Sequence, residues 1–596
     1  MVGGSAREAE VSGVRLIKWI EGRRRLDWWL SALVLLLAAG DAWASRHQIG
    51  PDGISYLDVA TVVFAHGIRA GASVAWSPAY TWLVGAALEL VHPSRPHELI
   101  VVMAVNVLIV TVVLVAFAWW LRELLALFRH RQVQLVISEP ILRVLAYSVL
   151  AWAVLSRVTS SVVEPDMLLG AVGFAATALL MRIGRLGGSA PAWLGLGVLL
   201  GIGYLVKSGF VLPALVACGA CGVLTTGGGV RRLGALALTL GACVCVAAPF
   251  VAVLSSKEGR LELGGYGTLN YAWDVDGVPR YLNWTGGNGA FGRPVHPTLI
   301  ARAPLTFAYP SPVAGSIPVW YDPLYWFQGV QPRLVLGGQI RALAAGIKGT
   351  VHTVVVGPLI LLLVPLAMLW WGRRRDRFAG SRETRAGPWW RRALHALADN
   401  AYLALAVAGI LTYLPLLVAD RYIAVYVAII VITAFLFACS GLARPDLPGT
   451  LVDRVVLATA LVALVTFVFA ARHPVEHEAD QLTGSDAPGT GEERIARALT
   501  RAGIGAGDGV AFIGDTPAVL RAYWARLDRA RVVANIDDQR GAFWRLSPAA
   551  QAGRLALVRA RSGARFVVSD EGAARSTPGW VPISGTGDSY RVLDGS

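Results

Sequence analysis

Two carboxylates follow the first apolar stretch of the chain directly. Asp52 and Asp58 lie in the segment 49–59, which reads I-G-P-D-G-I-S-Y-L-D-V. An ionisable group beside hydrocarbon is costly unless it is solvated, paired or functional. Such a carboxylate can act as a general base towards a hydroxyl group. The Pro-Asp-Gly sequence around Asp52 also fits a plain turn, so both interpretations stay open at this point.

A second acidic pair, Glu164-Pro-Asp166, stands at the start of a later apolar run. A carboxylate is favourable at a helix N-terminus, which accounts for one of the two acids. The other favours binding of a substrate or a divalent cation, and Mg²⁺ or Mn²⁺ is the candidate ion for Glu164 and Asp166. No histidine lies nearby, so no cofactor is firmly indicated.

Two basic groups interrupt apolar sequence in the same way. Lys207 breaks the chain between two apolar runs, and Arg421 begins another run between Asp420 and Tyr422. Each side chain can extend to the membrane interface, or it can bind a lipid phosphate. Arg421 adds the possibility of a bidentate grip on phosphate. An internal neutralisation of Arg421 by Asp420 is a third possibility.

The composition indicates a polytopic α-helical membrane protein. Of 596 residues, 55% are hydrophobic and 16% are charged, with a mean hydropathy of +0.55. The net charge of +15 comes from short arginine clusters between apolar runs, whereas a nucleic-acid-binding face would be contiguous. No nucleic-acid partner is therefore expected. All five cysteines lie inside apolar runs, which favours a packing role over a disulfide framework.

Apolar runs of about 20 residues predict about eleven transmembrane helices within residues 28–471. The predicted spans are 28–45, 98–121, 140–157, 164–182, 193–207, 209–227, 233–255, 347–371, 398–419, 421–441 and 454–471.

The basic residues predict the orientation of these spans. The N-terminal segment 1–27 and the clusters Arg122–Arg131, Arg182–Arg185 and Arg231–Arg232 all fall on one side, as does Arg373–Arg392. The positive-inside rule makes that side cytoplasmic. Every polar group described above then lies on the outer side, together with the segments 46–97, 256–346 and 472–596.

The two large outer loops differ in character. Loop 46–97 is apolar, and Ile54–Phe64 and Tyr80–Val91 are predicted to be interfacial helices. Loop 256–346 is rich in Gly, Pro and aromatic residues, which suit either an aromatic belt or a platform for sugar rings or a lipid-linked substrate. Its aromatic set is Tyr266, Tyr271, Trp273, Tyr281, Trp284, Phe291, Trp320, Tyr321, Tyr325 and Trp326.

Residues 472–596 have the composition of a small soluble α/β domain, predicted to be extracytoplasmic. Helices are predicted at Glu492–Ala502, Thr516–Leu527 and Ala549–Ala560. Strands are predicted at Gly509–Ile513, Arg531–Asn535 and Arg565–Ser569. The glycines at 503, 505 and 507 follow a helix and precede a strand, which is the reverse of a dinucleotide-binding fingerprint.

Taken in order, these motifs resemble those of the GT-C glycosyltransferases over roughly residues 27–441. The likeness is greatest to the bacterial protein-mannosyltransferase and aminoarabinose-transferase branch. Five short motifs carry it: Asp52-x-x-x-Tyr56, Trp76-Ser-Pro-Ala-Tyr80, Glu164-Pro-Asp166, Gly203-x-x-x-Lys207 and Arg421-Tyr422. Gly53 stands where better-known members have a second acid, which leaves the division of labour between Asp52 and Asp58 open.

The resemblance implies an inverting enzyme of the bacterial cytoplasmic (inner) membrane. It would move a sugar from a polyprenyl-phosphate donor to an extracytoplasmic acceptor, which is a cell-envelope glycan, a lipid or a protein. Asp52 or Asp58 would be the base, and Glu164 and Asp166 would bind the acceptor or a metal ion. The implied donor-phosphate ligands are Lys207, Arg421 and Tyr422, and the implied substrate-stacking rings are Tyr56, Trp76, Trp320 and Tyr321.

Two other classes of function remain as alternatives. A transporter or lipid flippase for envelope precursors should carry ionisable residues or Gly/Pro breaks near the bilayer midplane, whereas the acids here cluster at one face. A non-catalytic scaffold would tolerate replacement of Asp52 but would lose its function on deletion of 472–596.

Overall fold

The structure is a computed structural model of the chain. It describes residues 23–133, 135–280, 290–296, 298–310, 314–355, 358–375, 398–442, 447–483 and 490–593. Residues 1–22, Tyr281, Trp284 and most of the Arg373–Arg392 cluster lie outside the described residues.

Helices dominate the described chain up to residue 483. In chain order, the helices of this part are α1 Arg23–Ala44, α2 Pro51–His66, α3 Ile68–Gly71, α4 Pro78–Val91, α5 Glu98–His130, α6 Glu139–Ser156, α7 Asp166–Leu186, α8 Ala190–Val206, α9 Val211–Leu224, α10 Gly229–Glu258, α11 Tyr266–Asp274, α12 Pro318–Tyr321, α13 Pro323–Trp326, α14 Leu336–Val355, α15 Leu363–Arg375, α16 Ala404–Tyr413, α17 Asp420–Leu442 and α18 Gly449–Thr483.

The predicted count of eleven spans is not confirmed. Among the described residues, seven helices are long and apolar enough to cross a membrane, or eight if the bent pair Leu336–Val355 and Leu359–Trp371 forms one span. Three predicted spans correspond to shorter apolar helices, Ala190–Val206, Ser208–Leu224 and Ala401–Tyr413. The first two are short because Lys207 adopts an extended backbone and separates them.

The first loop contains the two predicted helices, α2 and α4. In α2 every residue from Gly53 to Ala60 is buried, so this helix packs inside the protein rather than along its surface. Its C-terminal turn lies against α4, where Gly85 leaves room for the ring of Phe64. The helix that carries Asp52 is therefore held on several sides.

An aromatic cluster holds α5, α6 and α7 together. The ring of Phe117 on α5 lies 5.0 Å from that of Tyr147 on α6 and 5.2 Å from that of Phe174 on α7, all edge to face. Edge-to-face pairs add specific attraction to the burial of apolar area. The packing fixes α7, which begins at Asp166, relative to α5 and α6.

The C-terminal segment, residues 490–593, forms a sheet together with a hairpin from loop 256–346. Its helices are α19 Thr490–Arg501, α20 Thr516–Val519, α21 Tyr523–Leu527 and α22 Pro548–Ser562. The strands are β1 Thr298–Arg302, β2 Leu305–Ala308, β3 Gly509–Gly514, β4 Arg531–Asp537, β5 Ala564–Ser569, β6 Val581–Pro582 and β7 Ser589–Val592, in the order β1-β2-β4-β3-β5-β7-β6.

The strands of this sheet come from two distant parts of the chain. Strands β3, β4 and β5 are parallel, as alternating helices and strands predict, and β2 pairs antiparallel with β4. The predicted helix Thr516–Leu527 is divided into α20 and α21. The β1–β2 hairpin and strands β6 and β7 were not predicted. Loop 256–346 is thus bonded to the C-terminal segment through the main chain.

Candidate active site

Asp52 occupies the first turn of α2. Pro51 begins the helix, since its fixed φ and missing N–H suit a first helical position. One carboxylate oxygen of Asp52, Oδ1, accepts a hydrogen bond from Trp320 Nε1 at 2.8 Å. The other, Oδ2, lies 3.6 Å from Arg421 Nη2, and the side chain is 29% exposed. This carboxylate is therefore oriented and still accessible.

Arg421, in the first turn of α17, joins three carboxylates. Its Nη1 pairs with Glu164 Oε1, and its Nε lies 3.8 Å from Asp166 Oδ2, in addition to the contact with Asp52. The guanidinium remains 35% exposed. Its neighbour in the chain, Asp420, pairs instead with Arg157 at 2.7 Å and accepts from Thr353 at 2.6 Å. The possibility that Asp420 neutralises Arg421 is therefore wrong.

Lys207 follows the end of α8 and reaches the same cluster. Its ammonium lies 2.5 Å from Asp166 Oδ1 and 3.8 Å from the ring centroid of Tyr422. Tyr413 stacks on Tyr422 at 4.8 Å, so two rings border the ammonium. A cation over an aromatic face is attracted by the quadrupole of the ring. The structure thus brings Lys207 and Tyr422 to Arg421, three residues that the sequence analysis places on one side of the membrane.

This cluster contains one more carboxylate than cations. Asp52, Glu164 and Asp166 face Arg421 and Lys207 within 4 Å. Burial raises the pKa of the Glu164 carboxyl, and Arg421 opposes this effect. A phosphate group entering here meets two cations, and it must take the place of a carboxylate at the guanidinium.

The divalent-cation site predicted at Glu164 and Asp166 does not fit the arrangement of these two acids. Glu164 pairs with Arg421, and Asp166 pairs with Lys207. Across the part of the chain that the structure describes, no group of three or more His, Cys, Asp or Glu residues is arranged to hold a metal ion. The acids serve as partners of the two cations instead.

The aromatic residues proposed to stack on substrate divide into two groups. Tyr56 and Trp76 are 6% and 4% exposed and pack edge to face at 5.0 Å, which leaves no open ring face for a sugar. Trp76 donates instead to the carbonyl of Tyr321 at 2.8 Å, and Tyr321 is itself buried. Trp320 is half-buried, stacks on Trp273 at 6.0 Å and binds Asp52. Of these four residues, Trp320 alone faces the cluster and is accessible.

Asn106 is a contributor that the sequence interpretation missed. It lies buried in α5, accepts from the hydroxyl of Tyr80 at 2.9 Å, and donates to the carbonyls of Ser160 and Val162 at 2.9 and 3.0 Å. These carbonyls precede Glu164, so Asn106 fixes the segment that delivers this acid. A single Asn within an apolar run was the available signal, because a buried amide needs partners.

Asp58 does not join Asp52. It is 6% exposed and accepts from Ser316 N and Oγ at 2.6 and 3.1 Å and from Arg526 Nη1 at 2.7 Å. A carboxylate enclosed by these donors has no room for a substrate hydroxyl. The interpretation of Asp58 as the base is corrected to that of a buried ion-pair partner.

Comparison with known proteins finds similarity among solved structures alone. No protein-family model matches the chain, and no curated protein matches it. ArnT from Cupriavidus metallidurans, solved bound to undecaprenyl phosphate, is 14% identical with a TM-score of 0.49, over 95% of this chain and 98% of that one. The oligosaccharyltransferase of Archaeoglobus fulgidus in its apo form is 12% identical with a TM-score of 0.41, over 91% of this chain and 69% of that one.

Proposed function

We propose that the chain is a membrane glycosyltransferase that moves a sugar from a polyprenyl-phosphate donor to an acceptor hydroxyl, with inversion at the anomeric carbon. One observation carries the proposal. An accessible carboxylate, Asp52, is oriented by Trp320 beside Arg421, and Arg421 shares the carboxylate of Asp166 with a second cation, Lys207. Glycosyl transfer from a lipid phosphate needs a base for the acceptor and a site for the departing phosphate, side by side at a membrane surface.

Each step of the proposed reaction can be assigned to these groups. The acceptor oxygen attacks the anomeric carbon from the face opposite the phosphate, and its proton passes to the carboxylate of Asp52. The bond between the anomeric carbon and the phosphate oxygen breaks, and the electron pair stays on that oxygen. Arg421 and Lys207 stabilise the growing negative charge, which is the role of a preorganised electrostatic site. The lipid phosphate leaves with its polyprenyl chain.

The two oxygens of Asp52 have different partners, which suits a base. Trp320 Nε1 fixes Oδ1, and Oδ2 faces Arg421 at 3.6 Å, beyond an ordinary hydrogen bond. A donor phosphate that binds Arg421 partly neutralises the guanidinium and frees Oδ2 to take the proton of the acceptor. Donor binding therefore prepares the base.

Glu164 and Asp166 hold the cations before the donor arrives. Glu164 is 12% exposed and Asp166 5% exposed; Asp166 begins α7, and Glu164 lies two residues before it. They keep Arg421 and Lys207 compensated in the empty site, since an unpaired buried charge is costly. The phosphate displaces Glu164 from the more exposed guanidinium, while Asp166 stays with Lys207.

The proposed setting is the bacterial cytoplasmic membrane, with the N-terminus inside and the site outside. The acceptor is then a component of the cell envelope, whether glycan, lipid or protein. A transporter or flippase is the weaker alternative, because Asp52, Asp166 and Arg421 stand in first turns of helices rather than midway along them.

The test uses the full chain in nanodiscs with a panel of radiolabelled polyprenyl-phosphate sugars that differ in the sugar. Donor-dependent release or transfer of label from one member is expected, and the active member identifies the donor. Two results together would favour a transporter over a transferase. Folded protein would release or transfer no label from any donor, and a labelled lipid would cross the membrane of vesicles that contain the chain.

A further inference from the structure

Arg526 is a buried arginine that joins three distant parts of the chain. It lies on α21 in the C-terminal segment, and its side chain is 3% exposed. Its Nη1 donates to Asp58 Oδ1 on α2 at 2.7 Å. Its Nε and Nη2 donate to the two carboxylate oxygens of Glu98, at the start of α5, at 2.8 and 2.9 Å. The planar fork of a guanidinium is what allows one side chain to hold both acids.

The charges around Arg526 are matched by further contacts. Glu98 also accepts from the hydroxyl of Tyr523 at 2.9 Å and from Arg95 at 3.1 Å. Burial lowers the pKa of Arg526, but Glu98 and Asp58 raise it by more, so the guanidinium stays charged. Removing one member of such a cluster leaves a charge without a partner in a dry environment, which is strongly destabilising.

A short path leads from this cluster to the proposed base. Asp58 accepts from Ser316 N and Oγ, and Ser316 begins the turn in which Trp320 N donates to the Ile317 carbonyl at 3.0 Å. Trp320 then donates from Nε1 to Asp52. Asp58 and Asp52 lie on the same helix, α2, so the path is a closed loop between α2 and the segment 316–320.

The C-terminal segment holds the same turn through its main chain. Val532 N donates to the Ser316 carbonyl at 2.9 Å, and Tyr309 N donates to the Val533 carbonyl at 2.8 Å. Strand β4 thus fixes both ends of the segment that precedes Trp320. Arg526 fixes the position of α2 against that segment.

We propose that Arg526 is a positioning residue for the transfer reaction. It holds α2 and the turn 316–320 in the relative position in which Trp320 orients the carboxylate of Asp52. The C-terminal segment is then a working part of the active site rather than an accessory domain. This inference rests on the proposed function, because it assigns Arg526 to the base of that reaction.

The first variant is Arg526→Lys, which keeps a positive charge beside Asp58 and Glu98. A single ammonium lacks the fork that holds both carboxylates, so the cluster loosens without losing its charge balance. We expect kcat to fall about 10- to 100-fold, because a small displacement of a reacting group has effects of this size. The KM for the donor should stay as in wild type, since Lys207 and Arg421 do not contact Arg526.

The matched control is Arg554→Lys. Arg554 also joins the C-terminal segment to loop 256–346, donating to the Pro304 carbonyl at 2.8 Å and to Thr306 Oγ1 at 3.0 Å, and its hydrogen bonds go to neither Asp58 nor Glu98. We expect its kcat to equal that of wild type. An equal loss of kcat in both variants would overturn the proposal. It would show that Arg526 only helps to attach the C-terminal segment to the rest of the chain.

A double-mutant cycle then tests the path itself. Trp320→Phe removes the donor to Asp52, and the double variant Trp320→Phe/Arg526→Lys combines the two losses. If Arg526 acts through Trp320, the double variant should have a kcat close to that of the slower single variant, because coupled residues are not additive. A double variant whose loss equals the product of the two single losses would contradict the path.

Hydrogen–deuterium exchange keeps this test independent of activity. In nanodiscs, peptides covering 314–326 should exchange faster in Arg526→Lys than in wild type, and they should be unchanged in Arg554→Lys. If wild type turns over no donor, the proposed function fails. The hydrogen–deuterium exchange rates still show whether Arg526 fixes the turn 316–320. Unchanged exchange at 314–326 in Arg526→Lys would overturn the positioning role.

Discussion

At the scale of single residues, two arginines show how exposure separates a binding group from an architectural one. Arg421 and Arg526 each meet more than one carboxylate, but Arg421 is 35% exposed and Arg526 is 3% exposed. The partners of Arg421 can be exchanged for a phosphate that arrives from solvent or lipid. Those of Arg526 are sealed, and a buried pair holds its geometry because breaking it is costly.

The carboxyl group of Glu492 gives a prediction on pH. Burial raises the pKa of Glu492, in the first turn of α19, to about 7, although the carboxylate accepts from Trp524 N at 2.9 Å. Between its ordinary pKa of 4.5 and this value, the folded chain binds a proton that the unfolded chain releases. Stability therefore falls as pH rises through that window, by about 3 kcal/mol in total.

Glu492→Gln keeps the acceptor and removes the titration. We expect the variant to melt at a higher temperature than wild type at pH 8 and at the same temperature at pH 4, below the window, measured by thermal unfolding in detergent. Glu493→Gln, which changes the neighbouring acid paired with His47 at 3.0 Å, is the control. If Glu492→Gln and wild type have the same melting temperature at pH 8, burial does not disfavour the ionised carboxylate of Glu492.

At the scale of elements, the site depends on where helices begin and end. Asp52, Asp166 and Arg421 stand in the first turns of α2, α7 and α17, and Lys207 follows the last turn of α8. A small shift of any of these helices along its axis therefore moves a charged group. Close packing between the helices is what prevents such shifts.

Gly201 gives a direct test of that packing. A Cβ at this position of α8 would lie 2.8 Å from the Cys243 carbonyl oxygen and 2.6 Å from Val246 Cβ, both on α10. Small residues let apolar helices approach this closely. Gly201→Ala should destabilise the protein by about 1–3 kcal/mol in thermal unfolding, because neither helix has room to yield.

The matched control for this prediction is Gly219→Ala, in the interior of α9. A Cβ there would have no heavy atom within 4 Å, so the higher helix propensity of Ala is gained without a clash. We expect a melting temperature equal to or above that of wild type. A Gly201→Ala protein as stable as this control would show that α8 and α10 are not in close contact.

Helices and strands with a clear local sequence pattern were predictable. Strands that form by pairing with a distant part of the chain were not. Strands β3, β4 and β5 were predicted because helix and strand patterns alternate over a short stretch. Hairpin β1–β2 carries a weak local pattern, and its pairing with β4 joins Thr306 to Ile536. The role of Asp58 was missed for the same reason, since its partner Arg526 is 468 residues away in the chain.

At the scale of the whole molecule, the distribution of charge defines two faces. The arginine clusters predicted to be cytoplasmic and the site around Asp52 lie at opposite ends of the apolar helices in the predicted topology. Asp52, Glu164, Asp166, Lys207 and Arg421 were predictable as a set because they share one face in that topology, but Asp58 shares the face without joining the cluster. The contacts between these residues were not predictable, because they depend on side-chain packing among helices that are far apart in sequence.

Cysteine labelling tests the two faces. In a variant that lacks the five native cysteines, Gly587→Cys and Gly228→Cys each place one thiol at an exposed position where a side chain has free space. A membrane-impermeant maleimide should label Gly587→Cys in intact cells, and it should label Gly228→Cys only after the membrane is opened. The reverse pattern would invert the orientation and place the Asp52 site in the cytoplasm.

The most direct test of the central claim compares wild type with Asp52→Asn at saturating donor and acceptor. The amide keeps an acceptor for Trp320 but cannot take a proton from the acceptor hydroxyl. We expect the rate of transfer to fall by about 100- to 10,000-fold, the usual contribution of a general base, while the donor still binds through Lys207 and Arg421. Transfer by Asp52→Asn at the rate of wild type would contradict the assignment of Asp52 as the base.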